Sequence, residues 1–363
     1  MSKVLIVSPF VPPHRGGLET YVGWLHRDLA AAGHEVGILA TDVRPASATA
    51  CVHAVDLRVG GGTSWPLVLP SRRTTRLVDR VLDGVDVVVH QNCFWNLTDL
   101  VSRRAARRRI FQRTVVHAAF ATYPGAGWST RASATAFRVV AGAPQLRRAA
   151  PIAVSRASQR FVADEYGMEA AYVPCPIPQV PVIAGAGFSG EEPLRIAWVG
   201  RLAPVKAPVD AIRAVADVAR TRSVELHMFG GGPLSDALPD APFITWHGDT
   251  PREDVLRAVA DSHVFLSTSL ADNAQLALLE ALALGRPCVA TDVGEAALYL
   301  SGQLARGLAP PGDVRALAGA IGHVAADWTS MQAAAAARGE ELRRDYAPER
   351  AIAMMLQELE LAA

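Results

Sequence analysis

The sequence predicts an α/β protein of two successive doubly wound domains, and three observations carry that prediction. Short β-branched runs alternate with longer amphipathic stretches, the pattern of parallel strands joined by crossover helices. At 363 residues the chain is too long for one ordinary domain, since single domains usually hold about 100–200 residues. A proline- and glycine-rich stretch then breaks the alternation near the middle, and the alternation restarts beyond it.

In the first half, strands are expected at 4–8, 36–40, 85–90, 114–117, 152–155 and 171–174. Helical stretches such as 18–32 and 133–148 lie between them. The opening residues form too short an apolar run for a signal peptide and read as a buried strand. The stretch from 174 to 193 carries five prolines and three glycines and marks the boundary. Strands follow at 194–199, 224–229, 244–247, 264–267 and 288–291. The expected division is residues 1–174, joined by a C-terminal helix at 346–363, then a linker at 175–193, then residues 194–345. Two such sheets are expected to face each other across a cleft. Ligands bind them outside the carboxyl ends of the strands, so the loops after strands should carry the chemistry.

The bulk composition excludes several classes. The 36 basic and 35 acidic side chains nearly cancel, so no global field draws the chain to nucleic acid. Cys51, Cys93, Cys175 and Cys288 are far apart and form no Cys-x-x-Cys pair, against a zinc site or disulfide framework and in keeping with a reducing cytoplasm. No apolar run approaches the length of a membrane-spanning helix. Gly185, Gly187 and Gly190 match the Gly-x-Gly-x-x-Gly spacing of dinucleotide sites, but a strand follows them instead of a helix, so they read as linker. The absence of any Asp-x-Asp favours a site without metal, and no cofactor is expected.

The candidate functional segments cluster in the second half. The strand at 194–199 runs into Gly200-Arg201 and then Lys206, two cations that can neutralise a diphosphate at a strand's carboxyl end. Taken alone, they read equally well as solvated loop charges. Phe229-Gly230-Gly231-Gly-Pro233 follows the next strand, where absent side chains let backbone amides approach a ligand; a plain strand-to-helix turn is the alternative. Trp246-His247-Gly-Asp249 follows another strand and could border a nucleobase. Its neighbour Pro251-Arg-Glu-Asp-Val reads as a helix start.

The stretch from Ser267 to Pro287 is the most informative. A strand ends in small polar residues, a loop brings in Asp272, and a helix begins near Ala274 with free N–H groups suited to an anion. Glu280 lies on that helix among leucines, where an unpaired carboxylate is costly. It is met by a vicinal diol such as ribose, or by an internal salt bridge, or it lies on a partly exposed helix face.

Together these residues resemble the retaining GT-B glycosyltransferases of family 4, over most of the chain. The resemblance rests on Gly16-Gly17-x-Glu19, on Gly200-Arg201 with Lys206, on Phe229-Gly-Gly-Gly-Pro, and on Asp272-x7-Glu280 followed by Ala-x-Ala-x-Gly-x-Pro. It continues through Ala290-Thr291-Asp292-Val293-Gly294 and Pro311-Gly-Asp313. It implies a nucleotide-diphosphate-sugar donor bound chiefly in the second domain, with Arg201 and Lys206 on the diphosphate and Glu280 on the ribose. Asp272 would address the transferred sugar, and the amides of Asn273, Ala274, Gln275 and Leu276 would approach sugar and phosphate. Gly16 and Gly17 would close on the diphosphate from the first domain, and His117 matches the family's sugar-facing histidine. Two departures bear on sugar identity. The family's first glutamate is Asp272 here, followed by Asn273-Ala274 in place of an aromatic and glycine. Its double glycine has become Gly294-Glu295.

The resemblance further implies retention of anomeric configuration, with the acceptor attacking on the face the nucleotide leaves. A non-hydrolysing sugar-nucleotide epimerase and a catalytically idle nucleotide-sugar-binding subunit are the rival readings. The acceptor is expected to be a hydroxyl of a small molecule, glycolipid or glycan on the first domain, with 60–76 and 120–131 as candidate loops. The run from Arg103 to Arg109 could attract anionic lipid for weak peripheral membrane contact, or form a solvated helix face. The alanine and arginine bias fits a bacterial, GC-rich coding background, compatible with cell-envelope or secondary-metabolite biosynthesis. The sequence leaves the oligomeric state open.

Overall fold

The computed structural model describes residues 1–10, 17–42, 52–54, 71–93, 96–117, 132, 135–177 and 180–362. They fall into two compact units, Met1–Cys175 with Glu349–Ala363, and Pro176–Pro348.

In the first unit the elements run β1 (Lys3–Phe10), α1 (Gly17–Ala31), β2 (Glu35–Asp42), β3 (Val52–Ala54), α2 (Arg72–Val81), β4 (Val87–Gln91), α3 (Asn96–Arg107) and β5 (Phe111–Val116). They continue with α4 (Ala143–Arg148), β6 (Ala150–Ala153), α5 (Arg156–Tyr166) and β7 (Ala171–Tyr172). All seven strands pair in parallel, in the order β3-β2-β1-β4-β5-β6-β7. The strand order reverses between β1 and β4, which opens a crevice beyond their carboxyl ends. Leu5, Val7, Leu39, Val88 and Val101 fill the core beneath.

The second unit holds β8 (Leu194–Val199), α6 (Pro208–Ala219), β9 (Val224–Phe229), β10 (Ile244–Gly248), α7 (Arg252–Asp261), β11 (Val264–Ser267), α8 (Leu276–Ala283) and β12 (Cys288–Thr291). Then come α9 (Ala296–Tyr299), β13 (Leu308–Ala309), α10 (Val314–Ala326) and α11 (Trp328–Asp345). Its six strands are also parallel, ordered β10-β9-β8-β11-β12-β13, so the reversal falls between β8 and β11. Trp198, Phe265, Leu279 and Tyr299 are fully buried in one continuous core. The last helix, α12 (Pro348–Glu358), carries the chain back to the first unit. There Arg113 Nε donates to the Glu358 carbonyl at 2.9 Å.

Several expected elements shift for identifiable reasons. Strand β6 ends at Ala153, two residues earlier than expected, because the Ser155 hydroxyl accepts from the Ser158 N–H at 2.9 Å and caps α5. The expected helix at 133–148 is helical over its described part, with a five-residue π-helix (Arg138–Gly142) set between α-helical residues 135–137 and α4. Pro144 has no N–H to continue the α-helical ladder there. Strands β3 and β13 have three and two residues, too few to show a period in sequence.

The chain divides between Cys175 and Pro176, and the proline-rich segment beyond packs onto the second unit. Ile177 N–H donates to the Tyr346 carbonyl at 2.9 Å, and Arg343 Nη1 donates to the Val180 carbonyl at 2.8 Å. A Cβ at Gly185 would overlap the Arg286 guanidinium, and Phe188 packs on His263 at 4.6 Å. The Gly-x-Gly-x-x-Gly run is thus a packed strap.

In the arginine run, Arg103 pairs with Asp99, Arg104 with Asp79, and Arg108 with Asp79 and Asp83, at 2.7–3.2 Å. These partners neutralise much of the charge that would attract lipid. Among the described residues no helix is long and apolar enough to cross a membrane.

Candidate active site

The strand reversal in the second unit brings the loop after β8 against the loop after β11. Thr268 ties them together. Its Oγ1 lies 3.0 Å from the carbonyl oxygens of both Lys206 and Ala207 and accepts from the buried Trp198 Nε1 at 3.0 Å. Leu270 N–H donates to the Val205 carbonyl at 2.7 Å. Held this way, Lys206 Nζ forms an ion pair with Asp272 Oδ2. Ser269 Oγ donates to the same oxygen at 3.3 Å, and the Asn273 N–H donates to Asp272 Oδ1 at 2.8 Å. Arg201, just after β8, is exposed, and its side chain makes no hydrogen bond or ion pair among the described residues.

The glycines of these loops have a structural reason of their own. Gly200 N–H donates to the Phe229 carbonyl at 3.0 Å and Leu202 N–H to the Gly231 carbonyl at 2.9 Å, laying one loop on the other. Gly230 has φ +117°, and a Cβ there would overlap the Gly200 carbonyl oxygen. The run therefore closes loop on loop at Gly200, Gly230 and Gly231, in addition to any ligand it serves.

The loop before α8 is equally constrained. Gln275 adopts φ 39°, with its side chain buried. Ser267 Oγ donates to its Oε1 at 3.2 Å, and its Nε2 donates to the Val293 carbonyl at 2.6 Å. Gly294, at φ +60°, leaves room for the Asn273 carbonyl, which accepts from Glu295 N–H at 3.1 Å. Of the family's double glycine, then, the position the backbone requires is kept. The N–H groups of Ala274, Gln275 and Leu276 donate no hydrogen bond among the described residues. They stand at the positive end of α8 beside Lys206 and Asp272, where an anion would be stabilised.

Glu280 lies on α8 with its side chain 17% exposed. Its partner is internal: Arg252, at the start of α7, donates to Glu280 Oε1 from Nε at 2.9 Å and from Nη2 at 2.7 Å. Burial raises the Glu280 pKa and Arg252 opposes that rise. His247 stacks in parallel on Phe229, with ring centroids 4.3 Å apart, and its Nε2 lies 3.1 Å from His227 Nδ1. Burial and His227 lower its pKa.

His117 follows β5 in the first unit. Its N–H donates to Asn92 Oδ1 at 2.8 Å, its Nε2 lies 2.7 Å from Gln91 Oε1, and Tyr21 meets its ring edge-on. Burial lowers its pKa to about 3, so the ring is neutral at ordinary pH. Gly17 opens α1 and is exposed. Gly16, the candidate loop 120–131 and residues 60–70 of the other candidate loop lie outside the described residues, while Arg72–Val81 forms α2.

Sequence reasoning missed Arg252, Ser269, Thr268 and His227. Pro251-Arg252 was legible only as a helix start, and nothing local told that its side chain reaches across to α8.

The family comparison decides what this arrangement belongs to. The model for Glycosyltransferase Family 4 matches residues 15–178, and that for Glycosyl transferases group 1 matches residues 193–327. The chain belongs to the group 1, family 4 glycosyltransferases. The fold of this glycosyltransferase is also that of solved GT-B structures. Sucrose-phosphate synthase from Thermosynechococcus elongatus is similar over 99% of this chain and 98% of its own, with 18% identity and a TM-score of 0.75. Anabaena HepE in complex with UDP-glucose is similar over 99% of both chains, with 14% identity and a TM-score of 0.72. A glycosyltransferase from Rickettsia africae covers 99% of this chain and 98% of its own, at 14% identity and a TM-score of 0.70. No curated protein sequence matches the chain.

Proposed function

We propose that this glycosyltransferase moves a hexose, with retention, from a nucleotide-diphosphate sugar to a hydroxyl of a small-molecule, glycolipid or glycan acceptor. The observation that carries this reading is the meeting of Lys206, Asp272 and three unpaired amides at one helix start. Lys206, Arg201 and those amides would bear the diphosphate, Asp272 the sugar hydroxyls, and Glu280 the ribose. Two solved structures of similar fold support a nucleotide-sugar donor, HepE with UDP-glucose and Staphylococcus aureus TarM with UDP and α-GlcNAc-glycerol.

In the transfer, the bond from the anomeric carbon to the diphosphate oxygen breaks and a bond to the acceptor oxygen forms on the same face. The acceptor's proton passes to the departing diphosphate. The protein's part is electrostatic and positional: cations and amides fixed in advance stabilise the charge that grows on the leaving group. No metal is required by this scheme, because Lys206 and Arg201 take the counter-ion role.

The test is a thermal-shift screen of UDP-, GDP- and dTDP-sugars followed by transfer assays with the stabilising donor. Product carrying the donor's anomeric configuration by NMR supports the reading. An inverted product, or interconversion of the donor with no acceptor present, contradicts it.

A further inference from the structure

Arg252 and Glu280 come from different helices, α7 and α8, and their bonding is lopsided. Both guanidinium donors go to a single carboxylate oxygen, Oε1, at 2.9 and 2.7 Å. An oxygen of an ionised carboxylate offers two lone pairs, so Oε1 is filled. Glu280 Oε2 has no hydrogen-bond partner among the described residues. The mostly buried carboxylate is therefore satisfied on one side and left as a bare acceptor on the other. A bare acceptor takes a hydroxyl or an N–H and repels a phosphate.

We propose that Arg252 is a positioning residue of the donor site: it occupies Oε1 of Glu280 and presents Oε2 to a ribose hydroxyl, which makes the site select ribonucleotides over 2′-deoxyribonucleotides. The proposal rests on the donor-site reading above. Arg252 acts in two ways at once. Its fork fixes the rotation of the carboxylate, which a single contact would leave free. Its charge opposes the rise that burial imposes on the Glu280 pKa and so favours the ionised carboxylate. With 43% of its side chain exposed, Arg252 itself is replaceable without opening the core.

Isothermal titration of the full chain with UDP against 2′-deoxy-UDP, and GDP against 2′-deoxy-GDP, tests this. The wild type is expected to bind the better ribonucleotide about tenfold more tightly than its 2′-deoxy form, the effect of one hydrogen bond to a charged group. Arg252→Gln should weaken the ribonucleotide by about the same factor, leave the deoxy form within about threefold, and erase the preference. It should also make ribonucleotide affinity fall at a higher pH than in the wild type, a shift that simple loosening of α7 would not cause. Arg252→Lys, which keeps the charge but loses the fork, should restore the pH profile and only part of the preference. An unchanged preference in Arg252→Gln overturns the role of Arg252. The donor-site reading survives that result if Glu280→Gln still weakens ribonucleotide binding. If Glu280→Gln also binds both forms as the wild type does, or neither ribonucleotide binds at all, the donor-site reading fails with it.

Discussion

Lys206 and Asp272 stand 66 residues apart in sequence and form an ion pair across the strand reversal of the second unit. The cation proposed for the leaving diphosphate rests on the carboxylate proposed for the sugar. A donor diphosphate would compete with Asp272 for Lys206.

Lys206→Ala should lower kcat/KM by about 10²–10³, the usual effect of removing one preorganised charge from a developing anion. Stability should change little, because the pair is partly solvated and such pairs contribute about 0–1 kcal/mol. Steady-state kinetics with a melting curve checks both. A variant with wild-type rates would remove Lys206 from the mechanism.

Asp272→Glu lengthens the side chain by one methylene and moves its oxygens toward the sugar. We expect relative kcat/KM among sugars on one nucleotide to shift by about tenfold, the order of a single-methylene effect. Nucleotide affinity should stay constant. A panel of donors sharing a nucleoside diphosphate measures this, and an unchanged ranking would count against a sugar-facing Asp272.

Gly230→Ala places a Cβ against the Gly200 carbonyl oxygen at φ +117°. The strain and the broken loop contact should cost about 1–3 kcal/mol. Urea unfolding reads the loss as a lower midpoint with unchanged slope. A wild-type midpoint would show that the two glycine loops are not coupled.

Three imidazoles make stability depend on pH. Burial, first among the causes, lowers the pKa of His117 to about 3 and those of His90 and His263 to about 4, from 6.5. Below pH 6.5 the unfolded chain binds more protons than the folded one, so stability is complete above that pH and falls as pH drops toward 4. Urea midpoints between pH 8 and pH 5 should show the decline, with a shallower slope in His90→Gln. A midpoint constant over that range would contradict the buried, neutral state of these rings.

The order of strands and helices was legible because each strand is a short apolar run and each helix has its own period. The loops that bear Gly200, Lys206 and Asp272 were legible for the same reason, since they follow strands. What the sequence could not tell was partnership across elements. That Lys206 meets Asp272 depends on β8 and β11 being neighbours, and that Arg252 meets Glu280 depends on how α7 lies on α8. Neither follows from any local pattern. The glycines at 200, 230 and 231 were read for a ligand, yet their backbone contacts with each other are equally demanding.

Whether the second unit holds a nucleotide-sugar donor between Lys206 and Glu280 is decided by a crystal structure with the nucleoside diphosphate that most stabilises the protein. Phosphate oxygens are expected on Lys206 Nζ and on the amides at the start of α8, with ribose hydroxyls on Glu280. A nucleotide bound elsewhere, with Lys206 still on Asp272 and Glu280 touching only Arg252, would contradict it.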